Sequence, residues 1–313
     1  MIFGACSPFN SETEDQDPTL IIVKRDNDPN ERQYGIGNSH PAWSPDGNCI
    51  LYEHEAQNVN ERNNGFYQII LHDLKTHRDT FIVSGRLPTW SPDGDRFAFV
   101  RGNVLMQYDL KTDSIKTLIT LKANIFFPDW GPSNLIVFDT FHENPFRSLA
   151  LWTFDPMEGE LRSVGDMDKG SFRKGDWHPD GERIFHTRWV PVDTVWDYQY
   201  ERDLVVDGEE LFVMDLNNEY IERLTDDKES QSEPVVSPDG KWLAYTYREG
   251  LWNIKVMNLE TREEKFVTKK GGRYPHWAPD SEHIVYISVK PEGNLCIVSI
   301  VKTETFSIDR WSK

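Results

Sequence analysis

The stretch HPAWSPDGNCILYE at residues 40–53 places a tryptophan before a tight turn, SPDG, and an alternating apolar segment after it. Proline sets the backbone of the first turn position, serine or aspartate caps the bend, and glycine accepts the left-handed conformation that closes it. The stretch therefore predicts two antiparallel strands joined by a short turn. On this interpretation Ser44 and Asp46 shape the turn and carry no chemistry.

The same pattern occurs six times along the chain. The copies are HPAWSPDGNCILYE (40–53), LPTWSPDGDRFAFV (87–100), FPDWGPSNLIVFD (127–139), GDWHPDGERIFHT (175–187), EPVVSPDGKWLAYT (233–246) and YPHWAPDSEHIVYI (274–287). Their turn prolines are separated by 47, 40, 47, 59 and 41 residues. A period of this size is typical of four-stranded propeller blades, and the tryptophans are expected to pack between neighbouring blades.

A second marker lies between these copies in the same phase. It reads HDLKT (72–76), YDLKT (108–112), FDPMEG (154–159), MDLNN (214–218) and MNLET (257–261). Each blade can therefore be written as strand a, the SPDG turn, strand b, a loop, strand c, the DLKT-type turn and strand d. Two markers in one phase predict an all-β fold, a six-bladed β-propeller, and a seventh, incomplete blade is the alternative.

The propeller is predicted to fill residues 19–313 as one domain, and residues 1–18 are predicted to be a flexible tether or a truncated lipoprotein signal. The predicted blades lie near residues 40–84, 87–120, 126–165, 174–226, 233–269 and 273–309. In blade six, NLCIVSI (294–300) and TFSID (305–309) are expected to supply the last two strands. One of the N-terminal segments TLIIVKR (19–25) and ERQYGI (31–36) is expected to add an outer strand that fastens the ring.

These repeats resemble the WD-like propeller repeats of the TolB family, from about residue 40 to residue 308. The resemblance implies a six-bladed propeller in a periplasmic protein that works as a partner of other envelope proteins. In TolB an α/β domain precedes the propeller. Only about forty residues precede the first SPDG turn here, so we expect the propeller without that domain. Because one fold serves many purposes, the resemblance specifies the architecture more than the function.

The composition excludes several classes of function. The formal net charge is −18, from 52 acidic and 34 basic residues, and such a field repels nucleic acid. No apolar stretch reaches the ~18 residues that a membrane-spanning helix needs. Cys6, Cys49 and Cys296 form neither a disulfide framework nor a zinc motif.

Cys6 stands in FGACS, ahead of the acidic stretch SETEDQDP. A small residue before a cysteine and a polar tether after it resemble a bacterial lipoprotein cleavage site. This resemblance implies lipidation of Cys6 and a location in the periplasm or the outer cell envelope. Since only Met1 to Ala5 precede it, the alternative is an ordinary residue in a loose N-terminus, which leaves a cytoplasmic location open.

The face that carries the b–c loops is predicted to hold the functional site, because the turns on the other face are short and alike. Two b–c loops, at residues 53–65 and 187–210, exceed the ~12–15 residues beyond which loops are usually functional or disordered. The second loop could instead pack down as extra core. The candidate ligand- or partner-binding residues are His54, Arg101, Arg188, Trp189, Trp196, Tyr198, Tyr200 and Arg248.

Polar residues of the same face are expected to converge on the channel, which makes it a candidate ligand or metal site. His142 and His186, from matching positions of neighbouring blades, could share a divalent cation with Glu143 or Glu53. The alternative is that these groups are solvated and that no cofactor is bound. The starts of strand a contribute His40, Arg86, Asp176, Glu233 and Tyr274.

Two hypotheses about function follow. The chain has no GxSxG motif and no glycine-rich phosphate loop, which favours a non-enzymatic binding or scaffold protein that engages a protein or a glycan. The alternative is an enzyme. Oligogalacturonate lyases also carry TolB-like repeats, and this resemblance implies a histidine-held cation that would acidify a uronate C–H bond. Electrostatics disfavour the enzyme, because an acidic protein repels an acidic polysaccharide.

Overall fold

A computed structural model describes residues 20–23, 38–56, 66–141, 149–164, 172–197, 202–268, 271–289 and 295–299. Their strands form six four-stranded sheets, and each sheet is one blade of a propeller. The prediction of an all-β, six-bladed β-propeller is confirmed. Within these ranges, no helix has the length and apolar character needed to cross a membrane.

The strands of each blade run from the channel outwards, and the first strand of the chain is β1 (Leu20–Val23). Blade one contains β2 (Asn38–Trp43), β3 (Cys49–Glu55), β4 (Tyr67–Asp73) and β5 (Arg78–Ser84). Blade two contains β6 (Arg86–Trp90), β7 (Arg96–Arg101), β8 (Val104–Asp109) and β9 (Ser114–Thr120). Blade three contains β10 (Ile125–Trp130), β11 (Ile136–Phe141), β12 (Leu149–Phe154) and β13 (Leu161–Val164).

The second half of the ring repeats this order. Blade four contains β14 (Phe172–Trp177), β15 (Arg183–Asp197), β16 (Arg202–Asp215) and β17 (Ile221–Arg223). Blade five contains β18 (Ser230–Val236), β19 (Trp242–Glu249), β20 (Leu251–Asn258) and β21 (Glu264–Phe266). Blade six contains β22 (Gly272–Trp277), β23 (His283–Ser288), β24 (Leu295–Ser299) and, as its outer strand, β1.

The SPDG turns have the structural role that their sequence predicts. The Ser44 hydroxyl donates to Asp46 Oδ1 at 2.6 Å, and the Asn48 backbone N–H donates to the same oxygen at 3.0 Å. Gly47 closes the turn with a φ of 77°, a conformation that strains other residues. The serine and the aspartate are thus both engaged within the turn.

The motif tryptophans lie buried between blades. Trp43 of blade one packs against Ala278 of blade six in one core cluster. The Trp90 indole N–H of blade two donates to the Ala42 carbonyl of blade one at 2.9 Å. Each contact buries an aromatic face that a single sheet would leave exposed, so neighbouring blades stabilise each other.

The ring is closed by the N-terminal strand. β1 pairs antiparallel with β24, with Leu20 opposite Val298 and Val23 opposite Leu295. Of the two N-terminal segments considered, 19–25 therefore supplies the outer strand. The segment TFSID, expected as the last strand of blade six, lies outside the described residues.

Each innermost strand contains a β-bulge at the same place, where its register against the second strand shifts. The first bulged residue has a φ between 46° and 58°, and the next is proline in five blades and glycine in blade four. Proline fits there because a bulged residue need not donate to the ladder. The first bulged residues are His40, Leu87, Phe127, Lys174, Glu233 and Tyr274.

Gly131 lies where the tryptophan of the next blade comes closest. A Cβ at this position would stand 2.4 Å from Cγ of the Trp177 indole. We expect Gly131→Ala to lower the free energy of unfolding by about 1–3 kcal/mol, because the stiff indole must shift. Chemical denaturation measures this change. In a double-mutant cycle, Trp177→Phe should reduce the cost of Gly131→Ala, and an unchanged cost would contradict the contact.

Candidate functional site

A cavity of about 110 Å³ lies on the axis of the ring, between the innermost strands. Each blade lines it with the two bulged residues and the residue that follows them. The lining segments are 40–42, 87–89, 127–129, 174–176, 233–235 and 274–276. His40, Asp176, Glu233 and Tyr274, which the sequence placed near the channel, are all among them.

Three rings meet in the channel at the level of the first bulged residues. The His40 ring lies 4.1 Å from the Tyr274 ring and 5.6 Å from the Phe127 ring, measured between centroids. These residues come from blades one, six and three, so the rings meet across the axis. Neither ring nitrogen of His40 has a hydrogen-bond partner among the described residues. Burial lowers the pKa of His40 to about 4, which leaves the imidazole neutral near pH 7.

Glu233 connects blades four, five and six. Its Oε1 accepts from Arg273 Nη2 at 3.0 Å and Lys174 Nζ at 3.4 Å. Its Oε2 accepts from the Thr246 hydroxyl at 2.5 Å and the Tyr274 backbone N–H at 3.0 Å. Burial by itself would raise the pKa of Glu233, but the two cations and these hydrogen bonds outweigh burial and hold it at about 2. The carboxylate is therefore ionised and fully bonded.

Arginine precedes the first bulged residue in blades two, four and six. Arg86 donates to Glu53 Oε1 through Nε at 3.1 Å and through Nη2 at 3.0 Å. Arg173 Nη1 donates to Glu209 Oε1 at 2.9 Å, and Arg273 is the third of these arginines. Because each guanidinium is held by a glutamate, the charges at the mouth of the channel largely cancel.

Two half-buried aspartates lie deeper in the channel. Asp129 Oδ2 accepts from the Trp177 backbone N–H at 2.9 Å, and Asp176 Oδ2 accepts from the Val236 N–H at 2.8 Å. Each bond joins one blade to the next. Burial raises the pKa of Asp129 to about 6. Burial, together with the charge of Asp129, raises the pKa of Asp176 well above its ordinary value.

The predicted partner-binding residues whose side chains are described lie on the b–c face, and the cavity lining does not include them. Arg101 and Arg248 are exposed at the ends of their strands, whereas His54 is buried. The Arg188 guanidinium lies 4.7 Å from the centroid of the Phe172 ring. These positions form a surface around the mouth of the channel.

The long b–c loop of blade four is a β-hairpin. β15 and β16 remain paired as far as Asp197 opposite Arg202, with a bulge between Pro191 and Asp193. The innermost strand of this blade begins opposite Arg188, so the hairpin continues beyond the sheet as a two-stranded arm. The backbone of Trp196 pairs within the arm, while its side chain, Tyr198 and Tyr200 lie outside the described residues.

The residues predicted to hold a metal are only partly described. His142, Glu143 and the lipidation candidate Cys6 lie outside the described residues. His186 is fully buried, with its ring 5.8 Å from the Phe212 ring and 5.1 Å from the Phe172 ring, and burial lowers its pKa to about 3. No group of three or more His, Cys, Asp or Glu side chains that could hold a metal ion occurs in the described part of the chain.

Four large apolar side chains are exposed on the b–c face, one from each of four blades. Phe66 precedes β4, Phe141 ends β11, Leu251 begins β20, and Trp189 lies in the blade-four arm. Their exposed fractions lie between 37% and 45%. Among these residues only Trp189 was predicted from the sequence to bind a partner. The other three could also be found from the repeat pattern. Each stands at the end of a strand on this face or next to it, and the pattern defines where those strand ends lie.

No family model matches the chain. Three curated proteins are similar to it over part of its length. The uncharacterized peptidase YuxL of Bacillus subtilis is 27% identical over 200 residues, 53% of this chain and 30% of that protein. The uncharacterized protein Atu1656 of Agrobacterium fabrum is 25% identical over 207 residues, 64% of each chain. The TolB homolog of Chlorobaculum tepidum is 32% identical over 149 residues, 46% of this chain and 31% of that protein. The chain thus spans 30% to 64% of the length of these relatives.

Solved structures show the same architecture. TolB from Acinetobacter baumannii superposes with a TM-score of 0.63 at 16% identity, over 81% of this chain and 64% of that one. An oligogalacturonate lyase from Vibrio parahaemolyticus superposes with a TM-score of 0.58 at 13% identity, over 90% of this chain and 93% of that one. A second such lyase, in complex with manganese, superposes with a TM-score of 0.55 at 15% identity, over 85% of this chain and 78% of that one. At these identities the similarity concerns the fold. The chain has the TolB-like six-bladed β-propeller fold that its repeats predicted.

Proposed function

We propose that this chain is a non-enzymatic binding or scaffold protein of the bacterial cell envelope that engages a protein or glycan partner through its b–c face. The observation that carries the proposal is the exposure of Phe66, Phe141, Trp189 and Leu251 on that one face. Exposed arginines lie on the same face. Aromatic residues and arginine are the residue types that concentrate in partner-binding surfaces.

The blade-four arm adds a second binding element to this face. Its strands continue past Arg188, beyond the start of the innermost strand of the blade. A strand without a neighbour presents backbone N–H and C=O groups to which an extended partner segment can bond. The arm therefore offers backbone recognition beside the apolar side chains.

The channel itself favours binding at its rim over chemistry within it. The rings of His40, Phe127 and Tyr274 meet across the axis. The glutamates at the mouth are bonded to arginine or lysine side chains of the protein. We assign these paired glutamates and the packed rings the role of stabilising the propeller.

Glutamate substitutions on the two faces test the proposal. The b–c variant combines Trp189→Glu with Leu251→Glu, and the control combines Met157→Glu with Tyr220→Glu in turns of the opposite face, where both side chains are exposed. We expect the b–c variant to capture its partner from envelope extract at least about tenfold less than wild type, because each of the two lost anchors costs about 1 kcal/mol or more. The control should match wild type. Equal losses in both variants, or no specific capture by wild type, would contradict the proposal, with thermal unfolding confirming that both variants fold.

A metal-dependent polysaccharide lyase is the second candidate, and the similarity in fold to the two solved oligogalacturonate lyases favours it. The described residues do not fit such a site, since they offer no cluster of three ligands and His186 lies between phenyl rings. We therefore expect elemental analysis of the purified protein to find no stoichiometric divalent cation. A tightly held cation that His142→Ala removes, and that the exposed control His77→Ala retains, would support the lyase instead.

We place the protein in the periplasm or the outer cell envelope, with lipidation of Cys6 as its anchor. The TolB-like fold and the FGACS sequence support this location. Metabolic labelling with a palmitate analogue tests the anchor. Labelling that Cys6→Ser abolishes supports it, and absence of label in wild type overturns it.

A further inference from the structure

A carboxylate of blade one holds blade two through two kinds of bond. Glu53 accepts the backbone N–H of Leu87, the first bulged residue of blade two, at 3.1 Å. The same carboxylate also accepts from Arg86, the residue before it, at 3.0 Å. Glu233 makes the corresponding two bonds from blade five to blade six. At both joints one carboxylate therefore binds the backbone and the arginine of the next blade.

The joint between blades three and four lacks one of these bonds. Asp139 occupies the same position of the second strand as Glu53, opposite the residue that precedes the bulge. Its Oδ1 accepts the Lys174 backbone N–H at 3.3 Å, but Arg173 donates to Glu209 of its own blade at 2.9 Å. The backbone bond across this joint is present, and the arginine bond is not.

Unpaired polar atoms mark this joint. Among the residues that the structure describes, Asp139 Oδ2, Arg173 Nε and the Thr187 hydroxyl are buried and have no hydrogen-bond partner. Asp139 is 1% exposed, and Thr187, which stands opposite Arg173 in the sheet, is 0% exposed. The charge of Arg173 acts on Asp139. Because unpaired buried polar groups are costly, a donor and an acceptor that are both unpaired at one joint favour a bond between them.

We propose that Arg173 and Asp139 form a latch between blades three and four, which closes when the Asp139 carboxyl loses its proton to solvent. While the carboxyl is protonated it is neutral and needs no cation, and Arg173 stays on Glu209. A buried carboxylate without a cation is costly, so ionisation brings Arg173 Nε–H to Asp139 Oδ2. The joint then gains the bond that Arg86 makes to Glu53 between blades one and two.

The latch operates near neutral pH. Burial raises the pKa of Asp139 from 3.8 to about 7, and the charges of Arg173 and Lys174 limit this rise. The residues that stand opposite Asp139 on the two neighbouring strands, Phe126 and Leu151, are apolar. The carboxyl is therefore protonated below about pH 7, where the latch is open, and ionised above it, where the latch is closed.

The latch lies at the base of the blade-four arm. Glu209 stands opposite Trp189, where β15 and β16 continue beyond the innermost strand. Movement of Arg173 to Asp139 loosens its hold on Glu209, on which the charge of Arg273 also acts. Closure of the latch thus reaches the b–c face. This consequence for binding rests on the proposed function, whereas the latch itself does not, and its test uses no partner.

A double-mutant cycle in the full-length protein tests the latch through its pH dependence. Asp139→Asn and Arg173→Gln are measured alone and together by chemical denaturation at pH 5.5 and pH 8.5. We expect a coupling below about twofold in the unfolding equilibrium constant at pH 5.5 and of at least about tenfold at pH 8.5, because only the ionised carboxyl needs the cation. The matched control pairs Glu233→Gln with Arg273→Gln. Its coupling should be equal at both pH values, since the pKa of Glu233 is about 2.

Crystal structures of wild type at the same two pH values test the movement directly and need no variant to fold. We expect Arg173 Nε within hydrogen-bond distance of Asp139 Oδ2 at pH 8.5, and Arg173 bonded to Glu209 alone at pH 5.5. An arginine that stays on Glu209 at both pH values would overturn the latch even if the coupling rises, because charge alone would then explain the rise. Equal coupling at both pH values would overturn it as well.

Discussion

Glu233→Gln is expected to lower the free energy of unfolding by about 3–5 kcal/mol at pH 7, the typical cost of removing one partner of a buried ion pair. Glu233 is 7% exposed, and it holds Arg273 at 3.0 Å and Lys174 at 3.4 Å. Glutamine keeps the shape of the side chain and can still accept the Tyr274 N–H. It leaves the two cations without their counter-charge between three blades. Chemical denaturation at pH 7 measures the loss.

The pH dependence of this loss has a defined sign. The pKa of Glu233 falls from an ordinary value of 4.5 to about 2 in the folded protein, because the neighbouring cations favour the ionised form. Its contribution to stability is therefore present above pH 4.5 and is lost as the pH falls towards 2. Wild type and Glu233→Gln should converge in stability as the pH approaches 2. A constant difference between them over this range would contradict the assignment.

The matched control is Glu222→Gln. Glu222 pairs with Arg262 at 2.7 Å, and the two side chains are 43% and 40% exposed. Exposed ion pairs contribute about 0–1 kcal/mol, so this substitution should have little effect. An equal loss in both variants would show that the removed charge matters more than the burial of Glu233.

The blade count could be predicted from the sequence because turn chemistry is local. The closing position of the turn needs a positive φ. A glycine at that position, or a residue that replaces it, therefore marks the turn in the sequence. Where glycine is absent, Asn134 and Ser281 take the position with φ of 62° and 59°. Six such turns in phase with a second marker define six sheets without knowledge of any long-range contact.

The cavity could be predicted only in part. The sequence placed His40 and Glu233 near the channel, but the partners of Glu233 lie 59 residues before it and 40 residues after it. No local pattern reports such contacts. A signal for the bulges was present in the proline two residues before the motif tryptophan, as in Pro41 and Pro88. The pairing of the 187–210 segment into an arm depends on register, which its length and aromatic content do not determine.

The contribution of the channel aspartates to stability should change with pH in the opposite direction to that of Glu233. Burial raises the pKa of Asp129 from 3.8 to about 6, so the folded protein holds a proton that the unfolded chain releases. Stability contributed by this proton is full below pH 3.8 and is lost as the pH rises through 6. Each unit of pKa corresponds to about 1.4 kcal/mol, so the effect amounts to about 3 kcal/mol at pH 8.

Asp129→Asn should therefore stabilise the protein by about 1–3 kcal/mol at pH 8 and leave it nearly unchanged at pH 4. The asparagine oxygen can still accept the Trp177 N–H that Asp129 accepts at 2.9 Å. Denaturation at several pH values between 4 and 8 measures the difference. Asp180→Asn is the matched control: burial by itself would raise the pKa of Asp180, but hydrogen bonds from Glu182 and Arg183 and the neighbouring charges outweigh it and hold the pKa at about 2. Its substitution should destabilise the protein, and a gain in both variants would contradict the prediction.

Asp129 and Asp176 should also be coupled. The charge of Asp129 raises the pKa of Asp176, so removal of either charge relieves the other. Asp176→Asn in the Asp129→Asn background should thus stabilise the protein less at pH 8 than Asp176→Asn alone, with a coupling energy of about 0.5–3 kcal/mol. Additive effects would mean that the two carboxyls titrate independently. Coupling would show that the two carboxyls titrate as a pair, although Asp129 bonds blade three to blade four and Asp176 bonds blade four to blade five.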